Sequence, residues 1–371
     1  MTHALRIDRA RRLVEQPESG HNRWHPDVPP RLHVAPGETV VLETRDALDG
    51  QIGPRTTSAD LAALDLAVVH PLTGPVFVRG AEPGDLLEVE ILEVAPDRFG
   101  FTCIVPGFGF LREHFPTPFL VRWTIAGGSA VSPDLPGVRV PGAPFMGVMG
   151  VAPSPTLLEA TIAREAELLG RGGMVQPPSP ASAVPATEPV ASRGLRTIPP
   201  REGGGNVDIK QLTAGATLLL PVDVPGALFS AGDAHFAQGD CESCGTAIEM
   251  QATLTVRFGL RRGEAARRGI RRPQFVRHHA FADPAIALPR RFFATTGMPL
   301  RADGRNESED LTLAATDALL QMIDHLVHER GFTREQAYVL TSVAVDLRVS
   351  QLVDVPNVLV SALLPLDVLA D

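Results

Sequence analysis

Apolar and polar positions alternate with period two along several short runs of this chain. The run 85–94 (DLLEVEILEV) is the cleanest, opened by Pro83-Gly84. Successive side chains of a strand face opposite ways, so this pattern predicts a half-buried strand. The runs 38–44 (ETVVLET, after Pro36-Gly37), 217–224 (TLLLPVDV) and 252–258 (ATLTVRF) predict further strands. A helical period appears over 156–169 and again over 311–330, where Leu311, Ala314, Ala315, Ala318, Leu319, Met322, Ile323 and Leu326 make a one-face stripe. Gly331 ends that helix, and Thr333 with Gln336 makes the capping box of the next. The stripe reads as core packing, with His325 and His328 toward solvent.

The chain carries 34 glycines and 34 prolines in 371 residues. Such frequent breakers favour short strands and turns over long helices. The stretch 170–193 is rich in Pro, Gly, Ser and Ala and reads as a flexible or polyproline-like excursion. Three segments follow: a mostly β, barrel-like part over 1–150, a helix and Pro/Gly-rich excursion over 151–205, and a sandwich-like α+β part over 206–371.

Net charge is −9, without a dominant basic stripe, which argues against nucleic acid as a partner. No apolar run reaches membrane-spanning length, and the N-terminus lacks the apolar core of a signal peptide. Three cysteines, Cys103, Cys241 and Cys244, make no disulfide framework. A reducing cytoplasm is the expected setting. Lys210 is the sole lysine, so no other is available as a base or Schiff-base nucleophile.

The chemistry concentrates in the run 232–249 (GDAHFAQGDCESCGTAIE). Carboxylates, an imidazole and thiols are interleaved there with glycines and alanines. Such groups bind metals, move protons or attack carbonyls. Glycine lets a loop bring main-chain N–H groups close to a ligand.

The ordered set of short motifs resembles the acetamidase/formamidase family across almost the whole chain. The matching pieces are Trp24-His25-Pro26, Pro36-Gly37-Glu38, Glu43-Thr44-Arg45-Asp46, His70-Pro71-Leu72-Thr73-Gly74-Pro75 and Gly80-Ala81-Glu82-Pro83-Gly84-Asp85. Further along come Pro106-Gly107-Phe108-Gly109, Gly147-Val148-Met149-Gly150 and Gly203-Gly204-Gly205-Asn206-Val207-Asp208-Ile209-Lys210, then the run 226–249, Ala344-Val345-Asp346-Leu347 and Val353-Asp354. The resemblance implies a mainly β fold, with a β-barrel-like N-terminal part, a β-sandwich and smaller α/β elements toward the C-terminus. It implies hydrolysis of a small linear amide to carboxylate and ammonia, a bound divalent metal (zinc or calcium) and a homo-oligomer. Two departures stand out. Cys241 replaces the family's usual glycine, and the Pro-rich excursion is long. A shifted substrate, such as a larger amide, a carbamate or a urea-like compound, is the alternative they raise. A non-catalytic metal or small-molecule binding protein is another.

An unactivated amide needs a strong nucleophile, positive charge near the carbonyl oxygen and a proton for the nitrogen. Two routes fit the residues. In the first, a metal-activated water attacks, with ligands drawn from Asp46, His70, Asp208, Asp233, His235 and Glu242, and with Glu242 or Glu249 as general base. Asp233 and His235 stand two apart, so in an extended segment they share a face. In the second, Cys244 attacks, assisted by Glu242 and Lys210. Asn206, Gln238 and Gly239 are the candidates for holding the substrate. Asp46 and Asp208 also have a purely structural reading as Asx-turn formers.

Overall fold

A computed structural model describes residues 1–281, 289 and 291–370. The fold is mainly β. One large branched sheet carries strands from Thr2–Leu5 to Gln274–Arg277, so residues of all three expected segments share it. Its backbone is the pair Leu86–Ile104 and Glu249–Arg261, antiparallel along most of their length. The first of these strands also pairs with Ala216–Pro221 and Phe119–Ala126.

Both long strands outrun the alternating runs that announce them. The ladder between them slips at Met250/Ala252 and at Thr255/Val256. Each slip resets which side chains face inward, so one continuous strand no longer shows one continuous alternation.

The strand Phe229–His235 lies at the centre of the functional half. It is buried along its whole length, flanked by Phe145–Gly150, by Leu72–Val78 and by the start of Glu249–Arg261. The strand Phe145–Gly150 pairs in turn with Gly204–Asn206. These ladders bring His235 opposite Phe145 and Glu249, and Val148 opposite Asn206. Segments far apart in sequence therefore meet across four adjacent strands.

The α/β elements gather at the C-terminal end. A three-stranded sheet of Phe292–Gly297, Leu359–Pro365 and Asp346–Gln351 packs against the helix Leu311–Arg330. Asp310 caps that helix and Gly331 closes it in a left-handed conformation (φ 68°). Thr333 and Gln336 form the capping box of Arg334–Ala344. His328 is exposed as expected; His325 instead is half-buried and stacked on Phe293, at 3.7 Å between ring centroids.

The Pro-rich stretch follows the helix Pro155–Gly170 and is held at defined points. The Arg23 guanidinium, fully buried, donates from Nη2 to the carbonyls of Ser179 (3.0 Å) and Ala181 (2.8 Å). Asn22 Nδ2 donates to Ser182 O, and Asn22 Oδ1 accepts from Val184 N, both at 2.8 Å. Backbone carbonyls of a segment without ladder partners are satisfied here by side chains of the β domain. Among the described residues no helix is long and apolar enough to cross a membrane.

Candidate active site

Asp233 and His235 are both buried on the central strand, and both belong to one cluster of ligand-type atoms. His235 Nε2 lies 3.4 Å from Asp233 Oδ1, 3.3 Å from Glu249 Oε2 and 3.9 Å from Glu242 Oε1. Asp208 joins from the turn after Gly204–Asn206, with Oδ1 4.0 Å from His235 Nδ1. His70 adds its Nε2, 3.6 Å from Asp233 Oδ2.

The ring of His235 is oriented by Gln238. Gln238 Oε1 accepts from Nδ1–H at 2.9 Å, while Gln238 Nε2 donates to the carbonyl of Asp208 at 2.8 Å. One side chain thus fixes both the imidazole and the loop carrying the Asp208 carboxylate. With Nδ1 bonded to Gln238, Nε2 is the ring atom turned toward the carboxylates.

Three of these acids sit in left-handed backbone: Asp208 at φ 46°, Asp233 at φ 57° and Glu242 at φ 47°. Such conformations carry a cost for residues with a Cβ and persist where the surroundings over-determine them.

Space for the cluster depends on Gly147. A Cβ there would lie 2.6 Å from Asp208 Oδ1, 2.8 Å from Asp233 Oδ2 and 2.9 Å from His235 Cε1. Its strand is paired on both sides and has little room to retreat.

Burial and mutual repulsion set the ionisation. Burial pushes the Asp208 carboxyl up to about 7 and that of Glu249 up to about 8. It raises Glu242 well above the carboxylate range, helped by Asp208. Burial acts the same way on Asp233, yet the imidazoles of His70 and His235 hold that group well below the usual range. Burial alone would lower His235; Glu249 and Asp233 hold it well above its ordinary value. Burial lowers His70.

The cluster fits a divalent cation on two grounds. Asp208 Oδ1, Asp233 Oδ1, His235 Nε2 and Glu249 Oε2 are all buried without a hydrogen-bond partner among the described residues. Buried polar atoms rarely go unpaired, and unpaired oxygens crowded around one ring nitrogen are the inverse of a cation. Asp208, Asp233 and His235 place ligand atoms within 4.8 Å of one another, as do His235, Glu242 and Glu249. Mixed nitrogen and oxygen donors suit zinc, manganese or calcium to different degrees.

A cavity of about 290 Å³ opens onto the cluster. His70, Asn206, Asp208, Asp233, Glu242 and Glu249 line its polar end. Asn206 Oδ1 and His70 Nδ1 are also buried and without a partner among the described residues.

The other expected residues lie elsewhere. The Asp46 carboxylate accepts from the backbone N–H groups of Leu48 (3.0 Å) and Gly50 (3.2 Å), an Asx-type turn, and lines a second cavity to which Glu249 also contributes. Lys210 is ion-paired with Asp346 and lines a cavity on another side of Gln238, apart from the cluster. Cys244 is fully buried, and its backbone N–H donates to Ser342 Oγ at 3.0 Å; burial pushes its thiol up. Gly239 packs on the chain at Val345: a Cβ there would stand 2.1 Å from Val345 O. Residues without a chemical signature complete the site. Gly147 is one, and Gln176 of the Pro-rich stretch, which lines the same cavity, is another.

Residues 6–371 match the acetamidase/formamidase family. An acetamidase of Mycolicibacterium smegmatis is 36% identical over 362 residues, covering 90% of this chain and 87% of that protein. A formamidase of Methylophilus methylotrophus is 35% identical over 388 residues, covering 99% and 94%. Among solved structures, a gamma lactamase from Delftia acidovorans superposes with a TM-score of 0.92 at 34% identity, over 99% of this chain and 93% of its own. The chain belongs to the acetamidase/formamidase family.

Proposed function

We propose that this amidohydrolase cleaves the C–N bond of a linear amide at the His235 cluster, with a divalent cation, zinc in the first instance, held by Asp208, Asp233, His235 and Glu249. The observation that carries the reading is the set of four buried, unpartnered donor atoms, one from each residue. A divalent cation bound there lowers the pKa of a water and polarises the amide carbonyl.

The protein's own groups do the rest. Asn206 Oδ1, an unpaired acceptor at the cavity wall, receives an N–H of the substrate amide. His70, whose pKa burial lowers, also lines the cavity's polar end. Glu242 is the proton carrier: it lines the cavity and stands 3.9 Å from His235 Nε2. With a divalent cation nearby to favour its carboxylate form, it would take a proton from the attacking water and deliver one to the nitrogen as the C–N bond breaks. The water oxygen ends on the acyl carbon, and the products are a carboxylate and ammonia. A thiol route through Cys244 has less support, because that side chain is buried outside the cavity lining.

A homo-oligomer belongs to the same proposal. It is supported by Val349, Leu352, Val353 and Val355, which are all exposed in one short stretch. Light scattering tests it, and a cytoplasmic setting completes the picture.

The test is ammonia release from formamide and acetamide by protein of known metal content. Ring opening of 2-pyrrolidinone runs alongside, since the Delftia protein is named for a cyclic amide. Turnover of at least one linear amide is expected. Absence of turnover on all of them, with zinc, manganese or calcium supplied, contradicts the reading.

A further inference from the structure

The cavity is far larger and more apolar than its polar end requires. Its volume is about 290 Å³, whereas one water needs roughly 10–15 Å³ on the same measure. Away from the acids its walls are Leu48, Val69, Phe101, Val105, Phe108 and Ile198. Leu48, Val69 and Phe101 belong to a small hydrophobic core of their own, against which Val105 and Ile198 also pack. That support makes the apolar wall a pre-formed surface. Formamide offers it a hydrogen and acetamide a single methyl group. Either substrate leaves most of the wall facing water.

The mouth is equally built. Leu66 and Phe108 line it, with 40% of each exposed. Gln176 of the Pro-rich stretch lines the cavity as well. Gly173 N donates to Leu168 O at 2.9 Å, closing the preceding helix. The buried Arg23 holds the carbonyls of Ser179 and Ala181. The few residues between these two anchors carry Gln176 to the cavity. Holding a chain segment at both ends fixes the depth of the chamber beneath it.

We infer that the amide hydrolysed at this site carries an apolar acyl group of several carbons, seated against Val69, Phe101, Val105 and Ile198 beneath the anchored segment 173–182. This rests on the amide hydrolysis proposed above and names its substrate class. A hydrophobic wall discriminates by size: each methylene it buries is worth roughly 10- to 200-fold in such pockets.

The experiment is kcat/KM for the series formamide, acetamide, butyramide and hexanamide, measured as ammonia release by the metal-loaded protein. Hexanamide is expected to exceed acetamide by at least about tenfold. In Ile198→Trp, which fills the wall, the hexanamide-to-acetamide ratio is expected to fall by about tenfold or more. A maximum at formamide or acetamide in the wild-type protein overturns this inference and leaves amide hydrolysis standing. No turnover of any member overturns both. The wild-type series decides the matter even if the variant does not fold.

Discussion

Gln238 Oε1 accepts a hydrogen bond from Nδ1–H of His235 at 2.9 Å, and the same amide group holds the carbonyl of Asp208 through its Nε2 at 2.8 Å. Two of the proposed metal ligands are thus aligned by one side chain. Gln238→Leu removes the acceptor and the donor together. Zinc affinity, read by competition with a chromogenic chelator, is expected to fall about 10- to 100-fold. Gln238→Glu keeps an acceptor for Nδ1 and should recover part of the loss. Unchanged affinity in Gln238→Leu would show that the imidazole needs no such support.

Gly147 sets the free space of the cluster. In Gly147→Ala the added methyl would meet Asp208 Oδ1, Asp233 Oδ2 and His235 Cε1, all within 2.9 Å. Overpacking of this kind costs about 1–3 kcal/mol. Both metal binding and turnover should drop sharply while the far-ultraviolet spectrum stays native. A fully active Gly147→Ala protein would mean that the strand can move aside.

Glu242 and Cys244 separate the two chemical routes. Glu242→Gln is expected to lower kcat by about 10²- to 10⁴-fold with metal retained, the usual worth of a positioned proton carrier. Cys244→Ala should keep its turnover and lose on the order of 1 kcal/mol of stability through a small void. Loss of activity in the cysteine variant, with the glutamate variant still active, would assign the nucleophile to sulfur.

His21 governs part of the acid stability. Its Nδ1 bonds to Arg23 O and its Nε2 to Ser230 Oγ, both at 2.7 Å, and burial lowers its pKa from 6.5 to about 4. The unfolded chain therefore binds this proton first. The contribution is fully present above pH 6.5 and is lost as the pH falls toward 4, about 3 kcal/mol at most. In His21→Gln the unfolding free energy should fall less steeply over that window. Parallel curves for the two proteins, measured by denaturant titration, would contradict the assignment.

Much of this was legible in the sequence, for reasons that differ by residue. The alternating run 85–94 announces its strand; Asp233 and His235, two apart, do converge, although Asp233 is left-handed at φ 57° and not extended. Gly331 and the Thr333–Gln336 capping box fix the boundary between the two C-terminal helices. What stayed hidden depends on three-dimensional closeness. Leu86–Ile104 extends past its alternation because the ladder slips. Gly147 carries no functional group; its role is an absent Cβ, visible only once Asp208 and His235 stand beside it. The Pro-rich stretch reads as loose because its anchors, Asn22 and Arg23, lie about 160 residues away along the chain. Asp46 displays the same carboxylate as the clustered acids, yet its own turn occupies it through Leu48 N and Gly50 N.

The central claim is that Asp208, Asp233, His235 and Glu249 hold a divalent ion on which amide hydrolysis depends. The most direct measurement is ammonia release against bound metal per chain, following chelation and stepwise return of zinc. The account predicts that turnover disappears with the metal and returns in proportion to its occupancy. Full turnover by protein shown by elemental analysis to be metal-free would contradict it.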